Sequence, residues 1–268
     1  MKVHFITYGD KKFYLSKLHL INLAKRSEFF DTYKSFGPRN LDNEFVDNNF
    51  SILQNSIGGG YWLWKYKILK DTLDQLPEND ILIYCDAGAS INYLPKAKDR
   101  FQEYIDILCD KNTSHLRMEC EPQYIEKNWT TREIFDYFKV DINSSIANST
   151  QLQAGHMFFK KCTETVEYFN DYEEIITNDK QLITDCYDSN QVHKGFIENR
   201  HDQSLFSVLS KIYNAHIIEN ETEFKHRPDK QYDFPFLSVR TYGHGIKDYI
   251  DFFLLNRSRL NETVFFDE

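Results

Sequence analysis

Six residues, Asp80-Ile81-Leu82-Ile83-Tyr84-Cys85, run directly into Asp86-Ala87-Gly88-Ala89-Ser90. Successive apolar positions of this kind read as a strand buried on both faces. In an open α/β sheet, ligands bind beyond the carboxyl ends of the strands, so Asp86 would stand at the rim of a cleft. The small residues after it allow a ligand to approach the backbone closely. A carboxylate so placed can hold a hard divalent cation, Mn²⁺ or Mg²⁺, which neutralises a departing diphosphate. The strand pattern equally allows an aspartate that only caps the next turn. Two further polar groups stand out. Asp202, in Arg200-His201-Asp202-Gln203, opens an amphipathic segment, and His244 lies between Gly243 and Gly245 on a tight loop.

The elements that must carry these groups alternate between strand and helix. Val3–Thr7 is a β-rich run. Leu15–Arg26 has helical spacing, with Ser16 as a candidate N-cap. Asp31–Phe36 reads as a second strand before Gly37-Pro38. Gly58-Gly59-Gly60 forms a hinge or close-approach site, and Tyr61–Leu76 reads as a helix ended by Pro77. Phe101–Cys109 is a helix, Gln151–Phe159 a strand, Asp202–Ile212 an amphipathic helix and Ala215–Ile218 a strand. Such alternation predicts an α/β fold, Rossmann-like, with a mixed, mostly parallel central sheet flanked by helices. The 268 residues are taken as one domain, 1–268, in which the polar, irregular stretch of about 120–150 is an insertion that shapes an acceptor site.

Composition narrows the function. The net charge is −9, with no cationic stripe, which argues against nucleic acid as a partner. The five cysteines are odd in number and lack CxxC spacing, which argues against a disulfide framework or a structural zinc site. Sequons such as Asn128-Trp129-Thr130 carry little weight in an Asn-rich chain. No apolar stretch reaches the roughly 18 residues of a membrane span, and no signal peptide precedes the first strand. The expected location is the cytoplasm, with peripheral membrane contact through the acceptor at most. Aromatic residues are abundant at 16%, enough to line a cleft for bases and sugar rings as well as fill a core.

The run Gly60-Tyr61-Trp62-Leu63-Trp64-Lys65, the helix after it, and Asp80 through Gly88 together resemble the small GT-A-fold glycosyltransferases of bacterial and viral surface-glycan biosynthesis, which are distantly glycogenin-like. Members carry Asp-x-Asp after the strand. This sequence has Asp86-Ala87-Gly88 and lacks the second carboxylate. The resemblance spans roughly residues 1–245 and implies a role for several residues. Thr7 and Tyr8 would contact the nucleotide, together with Tyr61, Lys65, Ala87, Gly88 and Lys247 on the donor side. Gln153 and Gly155 lie in the segment that faces the donor sugar, and His201 and Gln203 would join them on the sugar and acceptor. Lys65 and Lys247 would reach phosphate. Asp86 and His244 would hold the metal, the imidazole standing in for the carboxylate that Gly88 cannot supply. Asp202 would either cap its helix or face the cleft as the base for an acceptor hydroxyl.

The implied activity is transfer of a hexose from a nucleotide-diphosphate sugar, by default a UDP-sugar, to a glycan or lipid-linked acceptor in surface polysaccharide synthesis. Two rivals remain. A nucleotide- or glycan-binding protein that has lost catalysis would share the fold. A haloacid-dehalogenase-like phosphatase would place its Asp strand near the N-terminus, with a second Asp two residues on, and neither is found here.

Overall fold

The computed structural model describes residues 1–224 and 228–239; His244 and Lys247 lie outside the described residues. The chain begins with β1 (Val3–Tyr8), buried along its whole length, then α1 (Tyr14–Ser27) and β2 (Thr32–Phe36). Ser16 is buried inside α1 and does not cap it. The approach is shaped instead by Asp10, whose Oδ1 accepts the backbone N–H groups of Lys12 at 2.9 Å and Phe13 at 3.3 Å.

The helix expected from Tyr61 begins only at Trp64. Gly58, Gly59, Gly60, Tyr61 and Trp62 all have positive φ, from 53° to 99°, and form a left-handed turn before α2 (Trp64–Asp74). Glycine is required at two of these positions. A Cβ on Gly58 would stand 2.3 Å from the Trp62 ring, and one on Gly60 2.6 Å from Leu53 Cα. Tyr61 and Trp62 hold the same handedness at a cost of roughly 1–2 kcal/mol each.

Next come β3 (Ile81–Cys85), β4 (Ser90–Ile91) and α3 (Pro95–Cys109). The last of these starts six residues before Phe101, because Pro95 suits the first helical position. They are followed by β5 (His115–Met118), β6 (His156–Lys160), α4 (Thr163–Asp179), α5 (Asp202–Ile212), β7 (His216–Ile218) and β8 (Phe236–Leu237). The six-stranded sheet has the order β2-β1-β3-β6-β5-β7, and β4 pairs with β8 in a small second sheet. β1 is parallel to β2 and β3, and β5 is parallel to β7. β6 is antiparallel to both its neighbours, β3 and β5. The sheet is therefore mixed and mostly parallel. Because β6 runs backwards, its first residues arrive at the same edge where β3 ends.

Alternation along the strands sends side chains into two cores. Tyr84 and Met157 pack on one face with Leu69 of α2, Tyr172 of α4 and Phe206 of α5. Ile83, Cys85 and Phe158 pack on the other with Leu20 of α1 and Tyr104 of α3. The five cysteines are free thiols. Among the described residues no helix is long and apolar enough to cross a membrane.

Residues 119 to 152 leave the sheet between β5 and β6. Isolated bridges, Glu119 with Leu152 and Ile125 with Thr150, close the neck of this excursion. Its anchor is Glu126, which is fully buried. The carboxylate accepts Thr130 Oγ1 at 2.6 Å, Gln151 Nε2 at 3.0 Å and the hydroxyl of Ser207, and it pairs with Lys211 Nζ at 2.6 Å. Residue 151 thus holds the excursion rather than forming strand, which is why β6 starts at His156 and not at Gln151. Removing one partner from a buried ion pair leaves the other uncompensated. Glu126→Ala should lower the free energy of unfolding by about 3–5 kcal/mol, read as a shift of the urea midpoint.

Candidate functional site

Asp86 leaves the carboxyl end of β3 with its side chain 45% exposed. Its backbone N–H donates to the Gly155 carbonyl at 2.9 Å, and its own carbonyl accepts the Ala89 N–H at 2.9 Å. Oδ1 accepts the Tyr84 hydroxyl at 2.6 Å and lies 3.3 Å from Lys65 Nζ. No described residue pairs with Oδ2.

Lys65 differs from the expectation. Its side chain is 2% exposed, and its ammonium is shared among Asp202 Oδ2 at 2.7 Å, Asp86 Oδ1 at 3.3 Å and the Ala154 carbonyl at 3.2 Å. Burial alone would push the ammonium below its ordinary pKa, but Asp202 and Asp86 outweigh burial and hold it above. Lys65 therefore braces the site from beneath and does not reach the cavity to meet a phosphate.

Asp202 is the first residue of α5, 4% exposed, with its carboxylate on Lys65. It neither caps the helix nor lines the cavity, so it is not placed as a base for an acceptor. The reason is electrostatic: a buried ammonium requires a close carboxylate.

A cavity of about 530 Å³ opens beyond the carboxyl edge of the sheet, within the range of small-molecule sites. Asp86, Ala87, Gly88 and Gly155 line one side. Tyr8, Trp62 and Trp64 line a second. Gln153, Gln203, Cys120 and Tyr124 line a third. Tyr8 stacks on Trp64 with ring centroids 3.6 Å apart and planes 13° from parallel, and Trp64 Nε1 donates to the Gly58 carbonyl at 3.0 Å. The left-handed turn is thus tied to the aromatic wall. Gln203 Oε1 accepts the Ala154 N–H at 3.3 Å while its Nε2 donates to Gln151 Oε1 at 2.7 Å. Gln153 Nε2 donates to the Glu119 carbonyl at 2.8 Å, and its Oε1 accepts Thr222 Oγ1 at 2.8 Å. Both amides are held in fixed orientations.

Three other expected residues lie elsewhere. Thr7 is fully buried within β1 and does not line the cavity, since its side chain points inward where that of Tyr8 points out. Tyr61 turns away to His201, ring centroids 5.0 Å apart, and its neighbour Trp62 takes the place in the wall. His201 is held by Asp185 at 2.9 Å behind that turn. Several wall residues had no role assigned from sequence. Lys12 and Arg200 bring positive charge, the guanidinium of Arg200 lying 4.4 Å from the Trp129 ring centroid. His156 also lines the wall. Arg200 opens the Arg200-His201-Asp202-Gln203 segment singled out from sequence, so its signal was present; His156 falls in the segment expected to face the donor sugar, but among apolar neighbours it drew no role of its own.

Topology, strand exit and cavity together give the GT-A glycosyltransferase fold. Among solved structures the chain is similar to a glycosyltransferase involved in glycosylation of the major capsid of PBCV-1, with TM-score 0.50 and 11% identity over 96% of this chain and 100% of that one. It is also similar to mouse xyloside xylosyltransferase 1 (TM-score 0.43, 10% identity, 91% and 96%) and to the galactosyltransferase LgtC solved with donor and acceptor sugar analogues (TM-score 0.46, 8% identity, 91% and 87%). No family model matches the chain, and no curated protein matches it by sequence.

Two predictions follow from the buried charges. Lys65→Met strands Asp202 in the interior and should cost about 3–5 kcal/mol, measurable by urea unfolding. The second concerns two histidines. Burial, with Arg117 nearby, lowers His115 to about 3; burial also lowers His156 to about 4, against Asp86. A depressed folded pKa contributes stability above the unfolded value of about 6.5, lost as pH falls toward the folded value. Each therefore binds a proton only in the unfolded chain between about pH 6.5 and pH 4. Together they should make stability fall with acidification by up to about 2.7 kcal/mol per pH unit. Unfolding curves at pH 7, 6 and 5 check this, and His115→Gln should remove about half of the slope.

Proposed function

We propose that the protein is a cytoplasmic glycosyltransferase that moves a hexose from a nucleotide-diphosphate sugar, by default a UDP-sugar, to a hydroxyl of a glycan or lipid-linked acceptor in surface polysaccharide synthesis. One observation carries this reading: Asp86 leaves a fully buried strand half exposed, one carboxylate oxygen fixed by Tyr84 and Lys65 and the other paired by no described residue, at a cavity of diphosphate-sugar size with small residues beside it. The fold and its structural likeness to glycosyltransferases support it.

Tyr8, stacked on Trp64, offers an aromatic face for the base. Ala87 and Gly88 leave room for the diphosphate. Gln153 and Gln203 present preset amides to sugar hydroxyls, and such preset groups lower the cost of orienting the reacting centres. Toward a divalent cation the described residues offer one ligand at the exit of β3, Asp86. Oδ2 of Asp86 is a half-exposed hard oxygen that no described residue pairs with, and among the described residues no group of three His, Cys, Asp or Glu could hold a metal. Mn²⁺ or Mg²⁺ held there would supply positive charge to the departing diphosphate. Lys65 and Tyr84 together hold Oδ1 and so aim the Asp86 carboxylate.

A second reading, a nucleotide- or glycan-binding protein without turnover, is favoured by one feature, the absence of a carboxylate at Gly88. Release of free nucleotide from a panel of UDP-sugars, with and without Mn²⁺, separates the two. Turnover supports the transferase; a thermal shift with nucleotide and no release supports the binding protein. If the first holds, Asp86→Asn should lower turnover at least about 100-fold in a protein that stays folded, because Asp202 still pairs with Lys65. Wild-type rates in that variant would remove Asp86 from the mechanism.

A further inference from the structure

In the cavity wall, both ring nitrogens of one buried side chain are left unused by the described residues. His156 opens β6 and is 2% exposed, and neither Nδ1 nor Nε2 has a hydrogen-bond partner among the described residues. Its register partner is Cys85, which places it on the face of the sheet shared with Phe158, 6.1 Å from the ring centroid of Phe236. Asp86 turns to Tyr84 and Lys65 on the opposite face. The two residues flank the exit of β3 from opposite sides.

Buried polar atoms nearly always find partners, and an unmet one is costly. An imidazole with both nitrogens unmet, in the wall of a cavity, points to a ligand that meets them. Burial keeps this ring uncharged near neutral pH, so it presents one N–H donor and one lone-pair acceptor. Phosphate oxygens offer acceptors alone, and a hydrocarbon offers neither. The two ring nitrogens point apart, so one hydroxyl meets only one of them; a sugar hydroxyl can meet either, donating to the lone pair or accepting from the N–H. Resting on the nucleotide-sugar reading above, we propose that His156 is a specificity-determining residue that binds a sugar hydroxyl of the donor. The hydroxyl belongs either to the ribose or to the transferred hexose.

Isothermal titration of wild type, His156→Phe and His156→Gln with UDP, UDP-glucose, UDP-galactose and their ribose- and hexose-deoxy analogues tests this. In His156→Phe, Kd for the bound UDP-sugar should rise about tenfold, the worth of one net hydrogen bond. For one deoxy analogue wild type and variant should bind equally, which identifies the hydroxyl and assigns it to ribose or hexose. His156→Gln keeps a donor and an acceptor and should recover most of the affinity; it also serves should His156→Phe fail to fold. Without ligand, His156→Phe should unfold at a higher temperature than wild type, because two unmet nitrogens are gone. Equal affinity of wild type and both variants for every UDP-sugar would overturn the proposal and leave the nucleotide-sugar reading standing. A loss of the same size across all deoxy analogues would overturn it too, as a packing effect. If the wild type bound neither UDP nor any UDP-sugar, both would fall.

Discussion

The ammonium of Lys65 sits where α2, the end of β3, the approach to β6 and the start of α5 meet. A lysine so fully buried is tolerable only if carboxylates and carbonyls surround it closely, and here Asp202, Asp86 and the Ala154 carbonyl do so. The arrangement fixes more than one charge. It draws the first turn of α5 inward, so that Gln203 instead of Asp202 faces the cavity. It leaves Asp86 with one oxygen committed and the other paired by no described residue. It also holds the peptide before Gly155 against the floor. The chemistry available at the rim is thus set by a charge that never meets the ligand.

Much of the frame was readable in advance, because buried parallel strands appear as unbroken apolar runs. β1 and β3 stand out for that reason, and with them the exit of Asp86. α5 was legible through its periodicity. β5 was not, since Arg117 in its middle is fully buried yet polar, and its role is to donate to the Gln153 carbonyl at 2.6 Å and to Ser210 Oγ at 2.6 Å. Partners distant in sequence leave no local pattern, so the commitment of Lys65 and Asp202 to one another was invisible. The three glycines announced an unusual turn, but not that Tyr61 and Trp62 would continue its left-handed sense and exchange places at the cavity wall. Thr7 and Tyr8 show the same limit: a strand pattern says that neighbours diverge, not which of them meets the ligand.

The excursion between β5 and β6 contributes Cys120 and Tyr124 to the wall and supports Arg200 from behind through Trp129. It is held both by hydrogen bonds and by packing of Ile134, Phe135 and Ala147 into the core beneath it. Glu126 gathers Thr130, Gln151, Ser207 and Lys211 around one carboxylate, which joins the excursion to α5 at the helix that also carries Gln203. The two halves of the cavity therefore share a support.

The reversed direction of β6 has a consequence for how such a protein can diversify. The chain leaves β3 at Asp86 and, after β5, enters β6 from Gly155, and these two points are clasped by one backbone hydrogen bond of 2.9 Å. The exposed loops between β5 and that clasp, away from the Glu126 anchor, can grow or shrink over generations without moving the departing carboxylate relative to the returning strand. Variation in what is recognised is in this way uncoupled from the spacing on which reaction depends.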